Sequence, residues 1–208
     1  MTKKPLFYLF AFVLCFAGTS LYASTIFTEN FDELTMAQTG LALTSAGQFH
    51  TINGTNIDLL SAANGWGFLV FPPESGVVVD LGGTGGNFEG QLRSVPITLN
   101  PGMYALSFDL LGSGRQITTT TNVILAPSKG PSLYDQNFTL ASGGGGINRA
   151  VFTVTSPETV FLTFSLTHGE FNDGSLLDDV SISTVPEPGS FLLLGSGLTL
   201  LVGLTRRS

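Results

Sequence analysis

The chain has 208 residues, of which 15 are Asp or Glu, 8 are Lys or Arg, 26 are Gly and one, Cys15, is a cysteine. Fourteen of the acids but only four of the bases lie within residues 24–184, which gives this part a net charge of −10. A nucleic-acid partner is therefore disfavoured, because phosphate binding requires clustered Lys and Arg. Residues 24–184 contain no cysteine, which excludes a disulfide and thiolate chemistry there.

Residues 1–23 predict a secretory signal peptide. Two lysines at positions 3 and 4 precede an apolar run over residues 6–17, and small residues surround Ala23. A charged start, a short apolar stretch and a small-residue cleavage site are the three parts of such a signal. The run is shorter than the roughly 20 residues that a membrane span needs. We therefore expect cleavage after Ala23.

Residues 24–184 predict one all-β domain. In Met103–Leu110, Tyr104, Leu106 and Phe108 fall on one face, which is the period of a half-buried strand. The same pattern predicts strands over Gly67–Phe71, Val77–Leu81, Ser94–Leu99, Asn122–Ala126, Tyr134–Leu140, Arg149–Thr155, Thr159–Leu166 and Leu176–Ser183. Gly, Pro and Asn clusters separate these runs and predict turns. Nine or ten short strands at this spacing predict a single antiparallel β-sandwich or jelly roll.

The C-terminal segment, residues 185–208, has three parts in order. Pro186, Glu187 and Pro188 come first, an apolar run over residues 191–204 follows, and Arg206 and Arg207 stand near the end. The prolines stop a helix before the run, and the arginines favour the cytoplasmic side of a membrane. Because the run is short for a permanent span, we interpret it as a transient membrane helix.

This tail resembles the PEP-CTERM sorting signal of Gram-negative, biofilm-forming bacteria. The resemblance implies that an exosortase of the inner membrane cuts near Pro186, Glu187 and Pro188. It also implies transient anchoring in the inner membrane, followed by delivery to the cell surface or extracellular matrix. By the same resemblance these three residues, with Arg206 and Arg207, serve sorting and processing rather than catalysis. The alternative is an ordinary tail anchor.

A second resemblance covers most of the middle of the chain. It rests on residues 79–83 (VDLGG), 101–110 (PGMYALSFDL), 112–115 (GSGR) and 177–182 (LDDVSI). These segments resemble galactose-binding-like jelly-roll domains and are similar to some carbohydrate-binding modules. The resemblance implies a jelly roll that binds polysaccharide.

Aromatic side chains are the candidates for a sugar-binding site, because their rings stack on the apolar faces of sugars. Trp66 lies between glycines, and Tyr104 and Tyr134 lie on predicted strands. Arg115 follows a glycine-rich turn and is a candidate partner for sugar hydroxyls. The alternative for Trp66 is a place in the core.

Four carboxylates predict a structural calcium site. Glu29 and Asp32 lie near the start of the domain, and Asp178 and Asp179 lie on its last predicted strand. Calcium takes six to eight oxygen ligands, and the resemblance to carbohydrate-binding modules implies adjacent first and last strands with a calcium ion there. Alternation places Asp178 on the face of Val180. Turn-capping aspartates are the alternative.

The middle of the chain shows no catalytic constellation, so we predict that the protein is not an enzyme. It contains no Gly-x-Ser-x-Gly motif, and its two histidines, His50 and His168, lack metal-ligand spacing. The leading hypothesis is an exported surface or matrix protein whose jelly roll either binds exopolysaccharide or only contributes bulk to the extracellular matrix. The alternative is a secreted glycan hydrolase that uses two carboxylates.

Overall fold

The computed structural model describes residues 23–34, 40–61, 76–85 and 87–186. Most of the predicted signal peptide, the strand expected over Gly67–Phe71 and the tail beyond Pro186 lie outside the described residues. One compact unit spans Thr25–Thr184. Within the described ranges, no helix is long and apolar enough to cross a membrane.

The described ranges form thirteen β-strands and no helix. In chain order they are β1 (Thr25–Glu29), β2 (Ser45–Ala46), β3 (Phe49–Thr51), β4 (Asp58–Ser61), β5 (Val77–Asp80), β6 (Gln91–Ser94), β7 (Ile97–Leu99), β8 (Gly102–Leu111), β9 (Thr119–Pro127), β10 (Tyr134–Leu140), β11 (Gly145–Val154), β12 (Glu158–His168) and β13 (Leu176–Thr184).

The strands form two antiparallel sheets. The six-stranded sheet has the order β11-β8-β13-β5-β4, with β1 also paired to β13. The seven-stranded sheet has the order β10-β9-β12-β6-β3-β2, with β7 also paired to β12. The predicted fold class, an all-β antiparallel sandwich of the jelly-roll kind, is therefore confirmed.

A continuous apolar core separates the two sheets. Its centre is a series of aromatic rings in contact: Phe27 packs on Phe49, Phe49 on Phe164, and Phe164 on Phe108, with ring centroids 5.4–6.0 Å apart. The burial of β8, β9 and β12 alternates along each strand because successive side chains point to opposite faces. The outward-facing residues are therefore set by the same register that builds the core.

One predicted strand is divided in two. Ser94–Leu99 was expected to be continuous, but β6 ends at Ser94 and β7 begins at Ile97. Pro96 lies between them, and a proline has no N–H to donate to a sheet. As a result β6 and β7 pair with different parts of β12.

The first and last strands are neighbours, as the resemblance implied: Glu29 of β1 lies opposite Val180 of β13. A β-bulge interrupts β13 between Asp178 and Ser181. The extra residue reverses the alternation, so Asp178 lies opposite Asp109 on the outer face. The expectation that Asp178 shares the face of Val180 is therefore wrong.

Candidate functional site

The outer face of the seven-stranded sheet is mostly polar. Strand β6 presents Gln91 and Arg93 on this face, because Leu92 and Ser94 point into the sandwich and are buried. The pairing register adds the outward side chains of the neighbouring strands: His50 of β3, Phe161, Thr163 and Ser165 of β12, Asn122, Ile124 and Ala126 of β9, and Asp135 and Asn137 of β10.

A groove with a volume of about 380 Å³ crosses this face, within the range of ligand-binding sites. One group of lining residues is apolar: Ile52, Ile124, Ala126, Pro127 and Phe161. The other group is polar: Asn53, Gln91, Arg93, Ser128 and Thr163. The lining residues that the structure describes include no carboxylate.

Arg93 and Phe161 both line the groove and contact each other. The guanidinium carbon of Arg93 lies 5.3 Å from the centroid of the Phe161 ring, within the range of a cation–π interaction. Arg93 Nε also donates a hydrogen bond of 3.4 Å to Thr163 Oγ1. Both contacts come from β12, the strand that pairs with β6, and they hold the guanidinium against this strand.

Asn53 and Gln91 form a second polar pair in the groove. Asn53 Nδ2 donates to Gln91 Oε1 at 2.7 Å. Asn53 lies in the turn before β4 with a φ of 57°, a conformation that Asn adopts more readily than most residues. Each amide keeps further hydrogen-bonding capacity, since Asn53 retains its Oδ1 and Gln91 its Nε2.

This arrangement suits binding of polar, partly apolar ligands. An aromatic ring offers an apolar surface, while the amides, hydroxyls and guanidinium around it offer hydrogen bonds to hydroxyl groups. General acid–base hydrolysis of a glycoside needs two carboxyl groups at the scissile bond, and the described part of the groove lining contains no carboxyl group.

The structure places the predicted ligand residues elsewhere. Tyr104 is 4% exposed, stacks on Phe152 and donates from its hydroxyl to the Asn100 carbonyl at 2.8 Å. Its burial contradicts the expectation of a ligand contact. Tyr134 is half-buried on the inward side of β10, opposite Leu125, and burial raises its pKa. Trp66 lies outside the described residues.

Arg115, the fourth predicted ligand residue, lies away from the groove. It is in the loop after β8, beside Asp173, and its charge lowers the pKa of that carboxyl. Burial acts in the opposite direction more strongly, so the pKa of Asp173 is raised overall. The structure therefore does not bring Arg115 together with Tyr104 or Tyr134 in one site.

The four carboxylates of the calcium prediction lie around the β1–β13 pair but make separate contacts. Both carboxylate oxygens of Glu29 accept backbone N–H groups, from Phe31 and Gln48. Asp32 accepts from the Val77 N–H, and Asp178 accepts from the Asp179 N–H. In the part of the chain that the structure describes, no group of three or more metal-binding side chains is close enough to hold an ion.

A bound cation would nevertheless reduce the electrostatic repulsion between Asp178 and its acidic neighbours. Burial raises its pKa to about 8, and the negative charges of Asp179, Asp32 and Asp109 add to this effect. Carboxylate oxygens are the ligands that calcium prefers, so the donor chemistry fits the predicted ion. The calcium site stays a prediction.

The sequence did not predict a pair of buried carboxylates, Asp58 and Asp80. Asp58 and Asp80 lie opposite each other on β4 and β5, and both are almost completely buried, at 0% and 3% exposure. Asp80 Oδ1 accepts from the N–H groups of Gly82 and Gly174. Asp58 accepts from Thr84 and from the Ala42 N–H. Their hydrogen bonds connect loops at one end of the six-stranded sheet. Because both side chains are buried, a polymer cannot contact them.

The comparison with solved structures finds, among others, two that are similar to this chain in fold. The CBM22-1 xylan-binding domain of Paenibacillus barcinonensis Xyn10C is similar with a TM-score of 0.54 and 12% identity, over 82% of this chain and all of that domain. The CBM22-1–CBM22-2 tandem of the same protein gives a TM-score of 0.51 and 13% identity, over 83% of this chain and 49% of the tandem. At these identities the likeness concerns the fold alone.

The tail matches a family model, the PEP-CTERM protein-sorting motif, over residues 184–208. The predicted sorting signal is therefore confirmed, and it indicates export through an exosortase system to the cell surface of a Gram-negative bacterium. A search of the curated proteins found no match.

Proposed function

We propose that this protein is sorted to the bacterial surface, where its β-sandwich binds polysaccharide in the groove of the seven-stranded sheet. The observation that carries the proposal is the composition of the groove: one aromatic ring, Phe161, surrounded by amides, hydroxyls and a guanidinium. A long open face of this kind can contact several sugar units of one chain.

The cellular location that the sorting motif predicts supports the same function. A PEP-CTERM signal ends the chain, and an exosortase of the inner membrane is the partner that such a signal requires. Release from that membrane would place the sandwich among the exopolysaccharides of the cell surface and the matrix. In that setting a binding domain would hold the protein to the surrounding polymer.

A carboxylate-dependent hydrolase is the second candidate, and Asp58 and Asp80 are the observation that would favour it. Their Cα atoms oppose each other in the register of β4 and β5, which places them about 5 Å apart. Their burial and their hydrogen bonds to Ala42, Thr84, Gly82 and Gly174 argue for a structural role instead. Binding without hydrolysis is therefore the function that we propose.

Affinity electrophoresis tests the proposal. The exopolysaccharide of the producing bacterium is cast into a native gel, and the migration of the protein is compared with that in a gel without polymer. We expect retardation of the wild type and a loss of most of it in Phe161→Ala. Val151→Ala, exposed on β11 of the other sheet, is the matched control. Equal retardation of the two variants would refute the groove as the binding site.

A further inference from the structure

Arg93 is a basic residue in a domain whose charged residues are mostly acidic. Between residues 24 and 184, the chain has four basic side chains against 14 acidic ones. Yet, among the residues that the structure describes, no acidic side chain lines the groove that contains Arg93. In the part of the chain that the structure describes, Arg93 forms no ion pair; its polar contact is the Thr163 hydroxyl, and its other contact is the Phe161 ring.

Two acids of the described ranges, Asp135 and Glu89, are distant from Arg93. Asp135 lies on β10, three strands away from β6, which corresponds to about 14 Å at the usual strand spacing. It also accepts a hydrogen bond from Asn122. Glu89 precedes Arg93 by four residues, about 13 Å along an extended chain. The directly opposed residues are Thr163 on β12 and His50 on β3, and neither is an acid.

The geometry leaves one edge of the guanidinium for a ligand. Arginine has five N–H donors, and the contact with Thr163 uses the one on Nε. The guanidinium carbon of Arg93 lies over the ring of Phe161, and among the described residues the hydrogen bond of the side chain is the one from Nε. The two terminal nitrogens form a fork that matches the two oxygens of a carboxylate.

We infer that the groove selects an acidic polysaccharide, one whose sugar units carry carboxylates as uronic acids do, and that Arg93 is the residue that selects it. This inference rests on the proposed binding function and specifies its ligand class. A neutral polymer would leave the guanidinium without an ionic partner. Asn53 and Gln91, two residues before Arg93 on the same face, would bind hydroxyls of an adjoining sugar.

The experiment compares polymers that differ only in charge. Full-length protein in a non-ionic detergent is titrated with polygalacturonate, alginate and hyaluronan, and with the carboxyl-reduced derivative of each. The measured quantity is the ratio of the affinities for the acidic and the reduced form. We expect at least one pair with a ratio of roughly ten or more, since a hydrogen bond to a charged group contributes about 1.5–3 kcal/mol.

Substitutions test whether Arg93 causes the preference for the acidic polymers. We expect Arg93→Gln to bring the ratio close to one, and Arg93→Lys, which keeps the charge but loses the fork, to give an intermediate value. Arg149→Gln removes the same charge from an exposed position on β11 of the other sheet and should keep the wild-type ratio. Thermal unfolding of each variant verifies its fold, and Arg93→Lys carries the comparison if Arg93→Gln does not fold.

Three results would overturn the inference. A wild-type ratio near one for every pair would show binding without acid selection, and the proposed function would survive. An equal decrease in Arg93→Gln and Arg149→Gln would show that net charge, not the groove, sets the ratio. Binding to none of the six polymers would remove both the inference and the proposed function.

Discussion

Asp80 couples the stability of the sandwich to pH. Burial raises its pKa from 3.8 to about 7, although the N–H groups of Gly82 and Gly174 lower it. The folded state therefore holds the proton more tightly than the unfolded chain does. The stability from this protonation is complete below about pH 4 and is lost as the pH rises to about 7. Asp178, with its pKa raised to about 8, acts in the same direction.

We predict that the free energy of unfolding falls between about pH 4 and pH 7. Asp80 alone should contribute on the order of 4 kcal/mol, because one pKa unit corresponds to about 1.4 kcal/mol. Asp80→Asn keeps an oxygen for both glycine N–H groups and should flatten the dependence. Urea unfolding at a series of pH values measures the slope. Asp135→Asn, at an exposed position, is the control, and a wild-type stability that increases over this range would contradict the account.

Calcium binding by Asp178 and its acidic neighbours would also affect the stability of the domain. If Asp178 and its acidic neighbours bind the ion, millimolar calcium should raise the melting temperature and a chelator should lower it. The stabilisation is about 2.7 kcal/mol at a hundredfold excess over Kd, since only the folded state assembles the site. Asp178→Ala should remove most of the difference, whereas Asp135→Ala should not. Equal melting temperatures in calcium and in chelator would show that these carboxylates bind no ion.

Most of the long strands and the short strand β5 could be predicted, whereas β2 and β3 could not. Strand β10 has the predicted bounds, Tyr134–Leu140, because its turn residues and its alternation agree. Strands β2 and β3 have only two and three residues, too few for a period to be visible. The bulge in β13 was not predictable from alternation, since it depends on one extra residue at Asp179, whose φ is 49°.

The groove was missed for a related reason. Its polar side chains come from β6, β12 and the turn at Asn53, which are distant in sequence and meet only through sheet pairing. A signal did exist, because Phe161 interrupts the polar face of a strand whose opposite face is apolar. The conspicuous aromatic residues of the sequence analysis, Tyr104 and Tyr134, instead pack inward.

The end of β5 and the start of β13 approach too closely for side chains. A Cβ atom at Gly82 would collide with the backbone of Gly174, and one at Gly174 would collide with the backbone of Gly82. We predict that Gly174→Ala destabilises the domain by roughly 1–3 kcal/mol, as overpacking does, and weakens the Asp80 contact. Gly102→Ala, where a Cβ atom would meet only the Tyr104 ring at 3.7 Å or more, is the control. Denaturant unfolding that shows equal losses for the two variants would contradict this packing.

For the whole molecule, the sorting motif at residues 184–208 predicts where the sandwich is delivered. We predict that replacing Pro186, Glu187 and Pro188 by alanine leaves export intact but prevents cleavage, so that the protein accumulates in the inner membrane. Cell fractionation with detection of the sandwich measures this. Alanine replacement of Ser181 and Ser183, on β13, is a control outside the motif. Normal surface delivery of the triple variant would contradict the sorting function of this segment.

We have proposed that polysaccharide binds on the outer face of the seven-stranded sheet. Amide chemical shifts of the isotope-labelled protein test it most directly, in separate titrations with xylohexaose and with hexagalacturonate. We expect the shifted amides to cluster at Asn53, β6, β12 and the adjoining part of β9, with the larger changes for the acidic hexamer. Shifts confined to the six-stranded sheet, or none with either hexamer, would contradict it.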